Sequence, residues 1–263
     1  MAGTVSVEPL EGGVVRVTLD HAGKFNAMSR AMWRSLRSAF AGIQRDTTVR
    51  CVVVLGQGGH FCAGGDIAEY SDFRFEEHSL RDFHENDVWG GLQAMLDCDV
   101  PIIAQIDGNC MGAGVEIASC CDIRIASDTA RFGAPIAKLG FPMAPREAAL
   151  VTRAVGELTA REMLLSAAVL DATEMQRRGF LNQVVAAPGL AAAVQVCVDR
   201  IRPLAPQAAR MNKQTFRALA PVFTDSTATD LVATAYRYAS SAEHVEGVRA
   251  FVEKRPPRFG GGT

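Results

Sequence analysis

Two short apolar runs, each closed by glycines, limit what this chain can fold into more than any other feature of its sequence. The first is CVVVLG at 51–56, and further glycines follow it up to Gly65. The second is VPIIAQID at 100–107, followed by a glycine-rich segment and a helical pattern through residue 127. Apolar runs of this length are typical of buried strands. The repeated order of strand, glycine turn and helix predicts an α/β fold.

A hairpin and several helices complete the predicted core. Residues 5–19 alternate apolar and polar side chains around Gly12-Gly13, which predicts two strands joined by a tight turn. Ser29 is the expected N-cap of a helix that runs to about residue 44, because apolar residues recur there at helical spacing. Further helices are expected near 87–97 and from Pro145, where proline suits the first turn.

The C-terminal part of the sequence has a helical pattern. Amphipathic helices are expected over 190–201 and 205–219, and one long helix over 231–253. We therefore divide the chain into a core of residues 1–200 and a helical appendage of residues 201–263.

Charge and cysteine content exclude several classes of protein. The chain has 27 Lys and Arg against 29 Asp and Glu, a formal charge of -2, so no basic field is available to bind a nucleic-acid backbone. Its seven cysteines form no CxxC pair, which argues against a disulfide framework or a zinc site. No apolar run approaches the length of a membrane span, and no signal peptide precedes the hairpin. We expect a cytoplasmic protein without membrane insertion or a bound metal.

The glycine turns favour an anion site over a dinucleotide site. The dinucleotide fingerprint fails because Phe61 stands where its third glycine is required. Gly112-Ala113-Gly114 lies where a strand ends and a helix begins, so backbone N–H groups there are unpaired. Together with an N–H from the Gly64-Gly65 turn they could bind an oxyanion. Glu116 follows on the same helical face, either as an acid–base group or as a complement to the helix dipole.

Four segments, in order, resemble the crotonase (enoyl-CoA hydratase/isomerase) superfamily. They are HAGKFNAMS near residue 25, FCAGGDI at 61–67, IDGNCMGAGVEIASCCDIRIAS at 106–127 and FVEKRPPRF at 251–259. The resemblance implies a spiral of ββα units followed by C-terminal helices that build trimers or hexamers. It also implies an acyl-CoA thioester as substrate in fatty-acid metabolism, with no cofactor apart from the coenzyme A of that substrate.

The resemblance also assigns roles to residues of this chain. The backbone N–H groups of Gly65 and Ala113 would form the oxyanion hole, and Glu116 matches the first of the two glutamates that family hydratases use. The surrounding substrate and coenzyme A contacts would come from Ala63, Gly64, Asp66, Ile67, Gly112, Ile136 and Lys254, with Lys213 a further candidate for the coenzyme A phosphates. Asp66 and Asp122 match positions that the family uses to bond backbone in turns.

One departure from the family leaves the reaction open. Hydratases carry their second glutamate after the proline of the segment that reads FGAPIAKLG here, and this chain has Ile136. An aliphatic side chain cannot transfer a proton, so ordinary hydration is in doubt.

Three alternatives follow. One carboxylate suffices for an isomerisation, a decarboxylation, a hydrolysis or a carbon–carbon cleavage through an enolate. Glu147 replaces the missing acid, with Arg146 beside it to receive a substrate carboxylate, unless the two are only a solvated charge pair. In the third alternative the protein binds acyl-CoA without turnover.

We expect His60 and His84 to be surface or hydrogen-bonded histidines and Cys62 to be a small packing residue.

Overall fold

The structure is a computed structural model that describes residues 2–219 and 231–259. The strands are β1 (Thr4–Leu10), β2 (Val14–Asp20), β3 (Cys51–Gly56), β4 (Ile102–Ile106), β5 (Asn109–Met111), β6 (Ile123–Ser127), β7 (Arg131–Gly133), β8 (Val169–Asp171) and β9 (Gln183–Val185). The helices are α1 (Arg30–Arg45), α2 (Glu77–Asp82), α3 (Trp89–Leu96), α4 (Ala113–Ser119), α5 (Pro145–Val155), α6 (Glu157–Leu165), α7 (Ala172–Arg177), α8 (Leu190–Ile201), α9 (Pro206–Leu219) and α10 (Ala242–Val252). A π-helical segment, Phe83–Val88, joins α2 to α3.

The strands form two sheets. The larger has six strands in the order β1-β2-β3-β4-β6-β9, in which β1 and β2 are the predicted antiparallel hairpin and all other neighbours are parallel. The smaller sheet has the order β5-β7-β8. The runs expected to be buried strands are β3 and β4, which pair with each other in the middle of the larger sheet. The α/β prediction is therefore confirmed.

Apolar side chains cover both faces of the larger sheet. On one face α1 buries one helical stripe, including Met32, Leu36 and Phe40, and the Oγ of Ser29 caps this helix by accepting from the N–H of Met32 at 3.2 Å. On the other face α8 packs Val194 and its neighbours against the sheet. Within the described parts of the chain, no helix is long and apolar enough to cross a bilayer.

The prediction of one long C-terminal helix over 231–253 is wrong. Residues 235–240 form turns, and α10 begins only after Ser241, whose Oγ accepts from the N–H of His244 at 3.3 Å. Tertiary packing overrides the helical pattern here, because Tyr236 and Ala239 are buried against Leu80. α10 then packs against the turn at Ile136–Leu139. Residues 220–230 and 260–263 of the predicted C-terminal region lie outside the described residues.

Candidate active site

The two glycine turns singled out in the sequence lie side by side. The N–H of Cys62 donates to the carbonyl of Asn109 at 2.8 Å, and the N–H of Met111 donates to the carbonyl of Cys62 at 2.8 Å. These bonds bring the chain before Gly64 against the chain before Gly112. A Cβ added at Gly112 would lie 3.7 Å from the Cα of Gly64.

The N–H of Gly65 is unpaired because its neighbours take the available bonds. Met28 donates its N–H to the carbonyl of Gly64 at 2.8 Å and accepts from the N–H of Asp66 at 2.9 Å. This one-residue bridge uses one side of the turn, and the N–H of Gly65 points to the other side. Among the described residues, no backbone acceptor is bonded to it.

The N–H of Ala113 is unpaired because of the way in which α4 begins. Gly112 adopts φ 47° and ψ -109°, a conformation that strains any residue with a side chain, and its N–H donates to the carbonyl of Gly133 at 2.8 Å. Ala113 is the first residue of α4, so its own N–H has no acceptor within the helix. Among the described residues, the two turns therefore present the free N–H of Gly65 and the free N–H of Ala113.

Both turns open into a cavity of about 630 Å³ with mainly apolar walls. The oxyanion, acid–base and substrate-contact residues that the resemblance implied line it, whereas Lys213 does not: Ala63, Gly64, Gly65, Asp66, Ile67, Gly112, Ala113, Glu116, Ile136 and Lys254. Glu147 lines it as well. The sequence therefore identified the wall of this cavity, although the residues come from distant segments of the chain.

Glu116 lies in the first turn of α4, and its carboxyl group faces the cavity without a partner. Its side chain is buried, and no described residue donates a hydrogen bond to it or forms an ion pair with it. Burial raises the pKa of this carboxyl group to about 8, with a further contribution from the nearby charge of Glu147. Glu116 is therefore mainly protonated at neutral pH.

A sequence model of the family described as enoyl-CoA hydratase/isomerase matches residues 10–262. This decides the assignment: the chain belongs to the enoyl-CoA hydratase/isomerase family. It is 32% identical over 246 residues to the probable enoyl-CoA hydratase echA8 of Mycobacterium tuberculosis, a match that covers 92% of this chain and 93% of the relative. Membership assigns the chain to the enzymes that act on acyl-CoA thioesters.

Solved structures of the family have the same fold. An enoyl-CoA hydratase/carnithine racemase from Magnetospirillum magneticum is similar with a TM-score of 0.80 and 32% identity, covering 99% of this chain and 96% of the other. A methylmalonyl-CoA decarboxylase is similar with a TM-score of 0.84 and 26% identity, covering 98% of each chain. The crotonase fold that the sequence predicted is therefore confirmed.

Glu147 is not part of a solvated charge pair. It is buried in the first turn of α5, and the Nδ1 of His84 lies 3.0 Å from its Oε1. Arg146 points away to the surface, where its Nε lies 3.5 Å from a carboxylate oxygen of Glu85. The helical spacing of α5 gives the reason: adjacent residues face different sides, so Glu147 enters the cavity wall while Arg146 does not.

His84 is buried and lines the cavity, a position in the site that the sequence did not predict. Burial lowers the pKa of its imidazole, although the hydrogen bond with Glu147 acts in the opposite direction. The ring is therefore neutral. Its Nδ1 donates to the Glu147 carboxylate, and its Nε2 accepts from the Nη2 of Arg74, which lies 3.4 Å away.

Arg74 was missed by the sequence reasoning. It is fully buried and lines the cavity, with its guanidinium 4.1 Å from the ring centroid of Tyr70 and 4.0 Å from that of Phe141. It lies in the polar and aromatic stretch 70–86, where no periodicity separates buried from exposed positions. The aromatic residues on either side of Arg74 are the only sequence signal of its burial.

The remaining candidates have structural partners. Asp122 accepts from the backbone N–H of Ile102 at 2.7 Å, and it pairs with Lys213 at 2.8 Å, so Lys213 is already engaged. Asp66 pairs with the Nζ of Lys24 at 2.5 Å. The Nδ1 of His60 accepts from the N–H of Asn109 at 3.1 Å. Cys62 is buried, and desolvation raises the pKa of its thiol to about 12, which suits a packing residue.

The raised pKa of Glu116 predicts how stability depends on pH. The folded state holds this proton up to about pH 8, whereas an unfolded glutamate releases it near 4.5. Ionisation of Glu116 in the unfolded state therefore costs wild-type stability progressively as the pH rises from 4.5 to 8. Glu116→Gln removes that cost. Since one pKa unit corresponds to about 1.4 kcal/mol, we expect the variant to gain at least that much relative to wild type between pH 4.5 and 8.

Urea unfolding of both proteins at several pH values measures this difference. Glu157→Gln, an exposed substitution on α6, is the control and should show no such gain. A difference between wild type and Glu116→Gln that stays constant from pH 4.5 to 8 would contradict the raised pKa.

Proposed function

We propose that the protein holds the carbonyl oxygen of an acyl-CoA thioester on the N–H groups of Gly65 and Ala113 and catalyses hydratase/isomerase-type chemistry through the resulting enolate. Glu116 is the acid–base residue at the α-carbon. The observation that carries this proposal is the meeting of two unpaired N–H groups and one unpartnered carboxyl group in one cavity.

The two donors make the chemistry accessible. Negative charge moves onto the thioester oxygen as the enolate forms, and donors fixed in advance stabilise it without reorganisation. Each such donor contributes about 3–4 kcal/mol to the transition state in comparable sites. Glu116 is protonated at neutral pH, so it is prepared to give a proton to the α-carbon of that enolate.

Glu147 is the second carboxylate in this proposal. It takes the role of the family glutamate that Ile136 replaces in this chain. It lines the same cavity as Glu116, and its negative charge contributes to the raised pKa of Glu116. In hydration, Glu147 takes a proton from water while the water oxygen bonds to the β-carbon, and Glu116 protonates the α-carbon. Passage of the proton from Glu147 back to Glu116 restores the starting state. His84 is a positioning residue, because its hydrogen bond orients the Glu147 carboxylate.

Glu147→Gln tests this role. Loss of one acid–base group typically costs about 10²–10⁴ in rate, so we expect hydration of crotonyl-CoA to fall by that factor. Exchange of the α-proton of butyryl-CoA, which needs only the ionised form of Glu116 as its base, should fall much less. Arg146→Gln is the matched control on the neighbouring position and should leave both rates near wild type. Equal rates of hydration in wild type and Glu147→Gln would remove Glu147 from the mechanism.

Decarboxylation through the same enolate is the second candidate. It is favoured by the apolar Ile136 in the cavity wall and by the similarity to a methylmalonyl-CoA decarboxylase. An acyl-CoA with a carboxylate on its α-carbon would lose carbon dioxide, the electrons of the broken bond would form the enolate, and Glu116 would protonate it. This reaction needs no second carboxylate, so Glu147→Gln would leave it intact.

Incubation with crotonyl-CoA in heavy water tests the proposed function. Hydration removes the absorbance of the conjugated double bond and places deuterium on the α-carbon, whereas isomerisation moves the double bond and also incorporates deuterium. Malonyl-CoA in a parallel reaction reports decarboxylation through release of carbon dioxide. Tight binding of acyl-CoA with no change in absorbance, no deuterium uptake and no carbon dioxide would make the protein a binding module and refute the proposal.

The proposal includes an oligomer and no cofactor apart from the coenzyme A of the substrate. α9 leaves Met211, Phe216 and Leu219 exposed, and large exposed apolar residues on one element favour a protein contact. We expect light scattering to give three or six times the mass of one chain, and Phe216→Glu to lower that mass. A monomeric wild-type protein would contradict this part of the proposal.

A further inference from the structure

Arg74 brings a buried positive charge to the cavity wall without a counter-ion. Its side chain is fully buried, and none of the ion pairs among the described residues includes it. Its Nε has no hydrogen-bond partner. Buried charges in proteins are paired in nearly all cases, because an unpaired charge costs several kcal/mol. This guanidinium therefore needs an anion that the described residues do not supply.

None of the contacts that Arg74 makes is with a negatively charged group. The rings of Tyr70 and Phe141 lie against the guanidinium and hold it in place. Its Nη2 has two long contacts, 3.4 Å to the Nε2 of the His84 ring and 3.3 Å to the Tyr238 hydroxyl. Both partners are neutral groups. The nearest carboxylate in this chain of contacts, Glu147, lies beyond the His84 ring and already accepts from its Nδ1.

The position of Arg74 relative to the Gly64-Gly65 turn limits how long the acyl group of the ligand can be. A Cβ added at Gly65 would collide with the hydroxyl of Tyr70, so this tyrosine reaches the turn with the tip of its ring. The Arg74 guanidinium stacks on the same ring. It therefore lies about one aromatic ring away from Gly65, inside the cavity that Glu116 also lines. An anion on Arg74 would be separated from a thioester carbonyl at Gly65 by only a few atoms.

We infer that Arg74 binds a carboxylate at the far end of the acyl group, so that the substrate is the mono-CoA thioester of a short dicarboxylic acid. This inference rests on the proposed function, because the ligand enters as an acyl-CoA thioester. The free Nε and the weakly engaged Nη2 lie on one edge of the guanidinium, which matches the two oxygens of a carboxylate. Arg146, the arginine that the sequence offered for this role, is half-exposed and pairs with Glu85 outside the cavity.

Equilibrium binding of two saturated thioesters tests the inference without turnover. Glutaryl-CoA ends in a carboxylate, and 5-methylhexanoyl-CoA has the same shape with two methyl groups in place of the oxygens. Calorimetry on the wild-type protein should give a dissociation constant at least about tenfold lower for glutaryl-CoA, the usual effect of a charged hydrogen bond. In Arg74→Met this preference should disappear or reverse, whereas in Arg146→Met it should persist.

Each result decides between the two proposals. Equal affinities in the wild-type protein, or a preference that survives Arg74→Met, would overturn the role of Arg74 and leave the enolate chemistry intact. Loss of the preference in Arg146→Met would show that Arg146, and not Arg74, holds the carboxylate, which would overturn the inference too. Failure of both thioesters to bind would refute the proposed function itself. Should Arg74→Met fail to fold, equal affinities in the wild-type protein would still overturn the inference.

Discussion

Glu116→Gln is expected to lower turnover of the preferred acyl-CoA by about 10²–10⁴, the usual contribution of a general acid–base group. Glutamine has nearly the same shape, so the cavity wall is preserved, but its amide cannot exchange a proton with the α-carbon. No hydrogen bond or ion pair with a described residue is lost, because the carboxyl group of Glu116 has none. The dissociation constant for acyl-CoA should therefore change by less than about threefold.

Turnover is measured in a continuous assay of the double-bond absorbance, and binding by calorimetry with a saturated thioester. The surface variant Glu157→Gln should behave as wild type in both measurements, because this side chain is exposed on α6. A Glu116→Gln protein that keeps more than about a tenth of wild-type turnover would show that Glu116 is not the acid–base residue.

Ala113→Pro should lower turnover by about 10²–10³, the typical effect of removing one oxyanion donor. Proline lacks the N–H, and its ring occupies the place where the thioester oxygen would lie. The first residue of a helix tolerates proline, so α4 should still form. Ala113→Gly is the matched control, because it keeps the N–H and removes only a methyl group.

Rates with saturating acyl-CoA, together with circular dichroism to confirm folding, decide the result. If Ala113→Pro folds and turns over at the wild-type rate, the thioester oxygen does not bind at this N–H. A similar loss in Ala113→Gly would point instead to the local backbone, since glycine increases the freedom of the first turn.

The sequence predicted those parts of the fold that depend on local patterns. The hairpin around Gly12-Gly13 and the buried strands β3 and β4 follow from alternation, apolar runs and glycine turns. Ser29 caps α1 as expected, because capping needs only residues adjacent in the chain. The turn at Gly112 follows from where a strand ends and a helix begins, which leaves the N–H of Ala113 unpaired. The free N–H of Gly65 depends instead on the bridge to Met28, which the sequence does not indicate.

The features that the sequence did not predict depend on packing between distant segments. The burial of Glu147 is set by His84, which is 63 residues away in the chain. Arg74 is buried because aromatic rings close over it, which no periodicity in its own segment indicates. The break before α10 follows from the packing of Tyr236 and Ala239 against Leu80. In each case tertiary contacts override a local pattern that was weak or ambiguous.

The infrared carbonyl stretch of a ¹³C-labelled butyryl-CoA thioester, bound to the protein, tests the oxyanion site most directly. Two N–H donors on the thioester oxygen withdraw electrons from the C=O bond, so the band should lie at lower frequency than in water. The shift should persist in Glu116→Gln and be reduced in Ala113→Pro. A bound thioester whose carbonyl band remains at its solution frequency would contradict the proposal that Gly65 and Ala113 bind the reacting oxygen.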